Sequence, residues 1–143
     1  MSAPMVFSIR PQFVAMFRSG AKRFEFRTRV PWVLGETVLI YETAPTSAIV
    51  ASAVVCRIAD ASPFSIWTDF GDLGGITRED FDRYFAGRAR AVAIELTNIV
   101  WLSEPRKLPD GMAAPQAWAR LKGGLSSGLY ADLLDAVVSE VAR

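Results

Sequence analysis

Apolar and polar positions along this chain change period several times. Residues 5–10, Met-Val-Phe-Ser-Ile-Arg, alternate well enough to predict a strand that stops before Pro11. Pro11 suits a first helical turn, Phe13, Val14 and Phe17 recur at helical spacing, and Gly20 supplies a stop, so a short amphipathic helix is predicted over 11–19. Residues 22–29 alternate strictly. Phe24 and Phe26 fall on one face of that strand, and Arg23, Glu25, Arg27 and Arg29 on the other. After Pro31 and Gly35, residues 37–43 read as a strand, and the β-branched run 48–58 reads as a central strand covered on both faces. Ser62 and Pro63 open a helix carrying Phe64, Ile66, Trp67 and Phe70. Thr77 caps another, with Glu79 and Asp80 in its positive first turn and Gly87 as its end. Residues 90–102 form a long strand, bent or bulged near Asn98. A short helix over 115–122 follows. The tail closes with an amphipathic helix over 129–141 whose apolar side is Leu133, Leu134, Val137, Val138 and Val141.

This order is neither a strict βαβ alternation nor all-helical, and it predicts an α+β chain: a small mixed or barrel-like sheet with peripheral helices. Trp67, Phe70, Phe81, Tyr84 and Phe85, at helical spacings, are expected to pack in the core or between helices rather than to form a binding box. With 143 residues and 51% hydrophobic content, the chain can bury one core unaided. No repeat or linker divides it. The expected organisation is one domain over 1–125, with the helix of 126–143 packed on it.

Composition narrows the chemistry. The chain has no histidine, which removes Ser-His-Asp and Cys-His nucleophiles and His-ligated metals, leaving carboxylate, lysine, hydroxyl, tyrosine and one thiol. That thiol, Cys56, lies in an apolar run and is expected to be a small buried hydrophobe. The longest small-and-apolar stretch, 47–55, is too short to cross a bilayer, and the start lacks a signal-peptide pattern, so a soluble, cytoplasmic protein is expected. Walker, dinucleotide and CxxC patterns are absent, and Gly71–Gly75 reads as an inter-helix connection. Charge is uneven. Net charge is +1 overall, yet residues 1–35 carry Arg10, Arg18, Lys22, Arg23, Arg27 and Arg29 against Glu25 alone, a local +5. Such a concentration can present a phosphate-seeking surface, or it can simply solvate a helix and a strand.

The densest polar cluster is Gly20-Ala21-Lys22-Arg23-Phe24-Glu25-Phe26-Arg27. Same-face residues two apart lie ~7 Å from each other, so Glu25 can pair with Arg23 or Arg27 while arginine forks hold a phosphate. By parity Lys22 falls on the phenylalanine side, and it joins the row only if the strand starts after it or carries a bulge. Together with the runs 7–13 and 38–41, this cluster resembles the ASCH domain family, whose G-x-K-x-x-E-x-R signature is matched by Gly20, Lys22, Glu25 and Arg27. The segments 70–88, 91–95 and 114–118 are similar to bacterial members as well.

The resemblance implies a PUA-like mixed β-barrel of about five to six strands, with a cleft beside the first helix and second strand that takes single-stranded RNA or a modified nucleoside. Arg10, Lys22, Arg23, Glu25, Arg27, Arg29 and Tyr41 are the binding candidates. Trp32 and Tyr41 are candidates for stacking on an unpaired base, with rim packing as the competing role. Lys22 and Glu25 are the candidate acid–base pair of a ribonuclease. The family's amidohydrolase branch has a threonine nucleophile where this chain has Glu25, which disfavours that activity. No cofactor is implied, apart from a divalent ion at Glu25 if the protein is a nuclease. A third reading is a protein-interaction domain or homodimer meeting through Leu133, Val137 and Val141.

Overall fold

In the computed structural model, which describes residues 5–29 and 34–120, the chain runs β1 (Met5–Ile9), α1 (Pro11–Ser19), β2 (Phe24–Arg27), β3 (Thr37–Glu42), β4 (Ala48–Ala61), α2 (Pro63–Phe70), a 3₁₀ turn (Gly71–Leu73), α3 (Arg78–Tyr84), β5 (Ala91–Arg106) and β6 (Trp118–Arg120). The six strands form one mixed sheet in the order β2-β5-β4-β3-β1-β6, with β1 and β3 parallel. This is the α+β architecture the periodicity predicts. Helix starts follow the capping rule: the Ser62 hydroxyl accepts from the Ser65 N–H at 3.2 Å, and the Thr77 hydroxyl from the Asp80 N–H at 3.1 Å.

Two compact units share these strands, and of the four points where the chain passes from one to the other, two lie within strands, at Val54–Val55 in β4 and at Thr97–Asn98 in β5. At the passage in β5 Asn98 adopts φ 50°, a left-handed conformation that asparagine tolerates better than most residues, so the expected bend is present. One unit holds β1, β3, β6 and the adjoining halves of β4 and β5. Its core gathers Val6, Leu39, Tyr41, Ile49 and Leu102. The other holds α1, β2, α2, α3 and the remaining halves, around Phe24, Phe26, Ile66, Phe81, Phe85, Ala91 and Ala93. Phe81 stands edge-on to Phe26 at 5.1 Å and lies 4.7 Å from Phe85.

Several expectations are corrected. The segment expected as a helix over 115–122 contributes β6 instead, paired antiparallel to β1 (Met5↔Arg120, Val6↔Ala119, Phe7↔Trp118). Helix propensity there is weak beside the hydrogen bonds offered by the β1 edge and the contact of Trp118 with Phe7 at 6.1 Å. Cys56 is exposed rather than buried. β4 is indeed central in the sheet, but only its first half is buried, and Cys56 lies past the point where cover ends. Tyr84 is half exposed, whereas Phe81 and Phe85 are buried. The expected terminal helix, with Leu133, Val137 and Val141, and Trp32 lie outside the described residues.

Candidate functional site

Three backbone bonds create the site by forcing a crossing just ahead of β2. The Lys22 N–H donates to the Met16 carbonyl of α1 at 3.2 Å, the Arg23 N–H to the Leu73 carbonyl at 2.8 Å, and the Leu96 N–H to the Arg23 carbonyl at 3.1 Å. The strand proper therefore begins at Phe24, and Lys22 escapes the parity that assigned it to the phenylalanine side. β2 is an edge strand paired with β5 in the register Phe24↔Glu95, Glu25↔Ile94, Phe26↔Ala93, Arg27↔Val92. Glu25 and Arg27 consequently share one face, and Phe24, Phe26 and Glu95 the other.

Lys22 and Glu25 are both buried, at 3% and 6% exposure, and they form a 3.2 Å ion pair through Glu25 Oε1. Arg27 takes the other oxygen, Oε2, with Nη2 at 2.8 Å and Nε at 3.0 Å. One carboxylate thus lies between two cations. The Lys22 ammonium also donates to the Gly74 carbonyl, and it sits 5.0, 5.5 and 5.6 Å from the ring centres of Phe13, Phe17 and Phe26. Three aromatic faces within about 6 Å stabilise a cation that water no longer reaches. Burial is the largest influence on its pKa and lowers it from the ordinary 10.5. Glu25 works in the opposite direction, and Arg27 reinforces the lowering.

The Gly74–Gly75 step matters because of its closeness. A Cβ on Gly74 would lie 2.1 Å from the Phe26 ring, and one on Gly75, at φ 72°, would lie 2.9 Å from Met16 Sδ and 3.1 Å from Lys22 Cδ. Without side chains, the loop brings a carbonyl against the ammonium. The segment expected only to connect helices therefore supplies a partner of Lys22.

Of the sequence-predicted residues, the fold brings together Lys22, Glu25 and Arg27. Arg23 pairs not with Glu25 but with Glu95, at 2.6 Å, and Arg57 approaches the same carboxylate at 3.4 Å. Arg10 and Arg29 are exposed outside this arrangement. Tyr41 is buried in the core cluster of its own unit, which places it in packing rather than on a rim. Sequence reasoning missed Gly74, Glu95 and Arg57. Glu95 alone left a trace, as a lone carboxylate inside the apolar run of β5.

Among the described residues no group of three or more Cys, Asp or Glu could hold a metal ion, and both oxygens of Glu25 are already engaged by cations. That donor set does not fit a divalent ion.

Comparison with known proteins places this geometry in context. Residues 13–114 match the family described as "Domain of unknown function (DUF365)". An "ASCH domain-containing ribonuclease" of Zymomonas mobilis is 29% identical over 92 residues, 64% of this chain and 62% of that protein, so the chain spans under two thirds of that relative. The crystal structure of ASCH from Zymomonas mobilis superposes with a TM-score of 0.80 at 24% identity, covering 90% of this chain and 94% of that one. A Ser-to-Ala mutant of the same protein gives 0.81 at 24% identity, covering 91% and 96%. At these identities the superpositions establish the fold.

Proposed function

We propose that this chain, which belongs to the family described as "Domain of unknown function (DUF365)" and is an ASCH domain protein, binds single-stranded RNA in the cell and cleaves it at the Lys22–Glu25–Arg27 site. The observation that carries the reading is the buried carboxylate held between two cations in a histidine-free chain. The ribonuclease naming of the Zymomonas relative supports the substrate class. Arg27, at the more exposed end of the row, offers its guanidinium to a phosphate, and Glu25 takes the proton from the attacking hydroxyl. Lys22, an ammonium made more acidic by burial, gives a proton to the departing oxygen as the P–O bond breaks. This route needs no metal.

A second reading, binding without cleavage, is favoured by one specific observation: Lys22 and Glu25 are almost wholly shielded and satisfied by protein partners. An end-labelled single-stranded RNA separates the two. Under the first reading Lys22→Ala and Glu25→Gln each abolish cleavage while leaving most of the affinity, with thermal melts recording whether each variant is folded. Cleavage persists in chelator, and added Mg²⁺ or Mn²⁺ does not raise it. Equal cleavage by wild type and both variants identifies a contaminating nuclease. Binding with no cleavage by any of them establishes the second reading, and free modified nucleosides titrated into the same samples show whether the occupant is smaller than a strand.

A further inference from the structure

We propose that Arg23 and Arg57, mounted on the buried carboxylate of Glu95, form a second subsite that takes a phosphodiester group of the RNA strand. This rests on the RNA reading above and extends it to the opposite face of the β2–β5 pair.

The argument begins with Glu95. Its side chain is only 6% exposed, within the buried and otherwise apolar run Ala91–Leu96 of β5, and a carboxylate in that setting needs a charged partner. One guanidinium would neutralise it, yet two are present. Arg23 Nη2 lies 2.6 Å from Oε2, and Arg57 Nε lies 3.4 Å from Oε1, so each oxygen holds one arginine and the cluster keeps one surplus positive charge. Both arginine side chains remain more than half exposed, at 56% and 58%. Each guanidinium carries five N–H donors, and among the described residues neither has another acidic partner. Arg57 is further held over the Phe70 ring at 5.9 Å, and Phe70 packs on Phe24 at 4.6 Å. The fork is therefore restrained before any ligand arrives, which lowers the ordering cost of binding.

A phosphodiester carries the one negative charge that balances this surplus, and its two free oxygens match paired guanidinium forks. Position supports the same conclusion. Arg23 stands two residues before Glu25, about 7 Å along extended backbone, at the edge strand of the sheet. A strand of RNA rounding that edge meets the Arg23–Arg57 pair and the Lys22–Glu25–Arg27 row one after the other.

The test measures the affinity of the full chain for single-stranded RNA oligonucleotides by fluorescence anisotropy over a range of salt concentrations. Arg57→Ala should make the slope of log K against log salt shallower by about 0.7, the value of one phosphate contact. It should leave binding of an unphosphorylated nucleoside unchanged. Arg57→Gln, which keeps a donor for Glu95, guards against misfolding and should behave like Arg57→Ala. If wild type binds RNA and both variants match it in affinity and slope, the subsite is overturned and the RNA reading stands. If wild type does not bind RNA, the RNA reading falls. Inorganic phosphate, followed by the NMR signals of the Arg23 and Arg57 Nε–H groups, then decides the anion site. Saturable shifts that vanish in Arg57→Gln support it, and no shift overturns it as well.

Discussion

Lys22 is a lysine buried to 3% exposure, and its burial has a measurable consequence. Because its folded-state pKa lies below the unfolded 10.5, the unfolded chain binds its proton more tightly than the folded chain does. The stability cost of keeping the ammonium buried is full below the folded pKa and fades as pH rises from there to 10.5. Lys22→Met places a neutral chain of similar length among the same phenylalanines. The unfolding free energy of wild type relative to this variant should increase with pH across that window, by at most about 1.4 kcal/mol per pH unit. Denaturant melts of both proteins over alkaline pH supply the measurement, and a flat difference would mean that Lys22 is hydrated in solution. Gly74 belongs to the same scale. Gly74→Ala drives a methyl into the Phe26 ring, so it should destabilise by about 1–3 kcal/mol and, by displacing the carbonyl partner of Lys22, reduce RNA cleavage too.

At the scale of elements, the helix starts behave independently of the site. Thr77 caps α3 through the Asp80 N–H, and α3 contributes Phe81 to the core of its unit. Thr77→Ala should lower stability by about 1 kcal/mol, seen as a reduced thermal midpoint, while cleavage per folded molecule is unchanged. This contrast with Gly74→Ala separates loss of fold from loss of site geometry. Strand β2 shows how short an element can decide which charges meet. Its residues run only from Phe24 to Arg27, and starting there rather than at Lys22 lets the lysine reach Glu25 while Arg23 turns to Glu95.

Across the whole molecule, charge is close to balanced, while the first quarter of the chain is basic, and the proposed RNA binding draws on that local charge. Affinity for single-stranded RNA should therefore fall as salt rises, with a slope of about −0.7 for each phosphate contacted. Arg27→Ala should make that slope shallower by about one contact without loss of the folded circular-dichroism signal. A salt-independent affinity would contradict an electrostatic mode of binding. No helix among the described residues is long and apolar enough to cross a membrane.

The repeat of apolar positions determined, without coordinates, most of the elements, the two helix caps, the bend at Asn98 and the segment that carries the site, because each depends on contacts within a few residues. The signature residues Gly20, Lys22, Glu25 and Arg27 were legible in the same local sense, and three of them, Lys22, Glu25 and Arg27, are brought together by the fold. Tertiary structure decided the rest. Whether 118–120 is helix or strand depends on the free edge of β1, more than a hundred residues earlier. Whether Cys56 is covered depends on where along β4 the packing stops. Arg23 chose Glu95 over the nearer Glu25, and Gly74 came to Lys22, because β-pairing and chain crossing set distances between residues that sequence separation does not constrain.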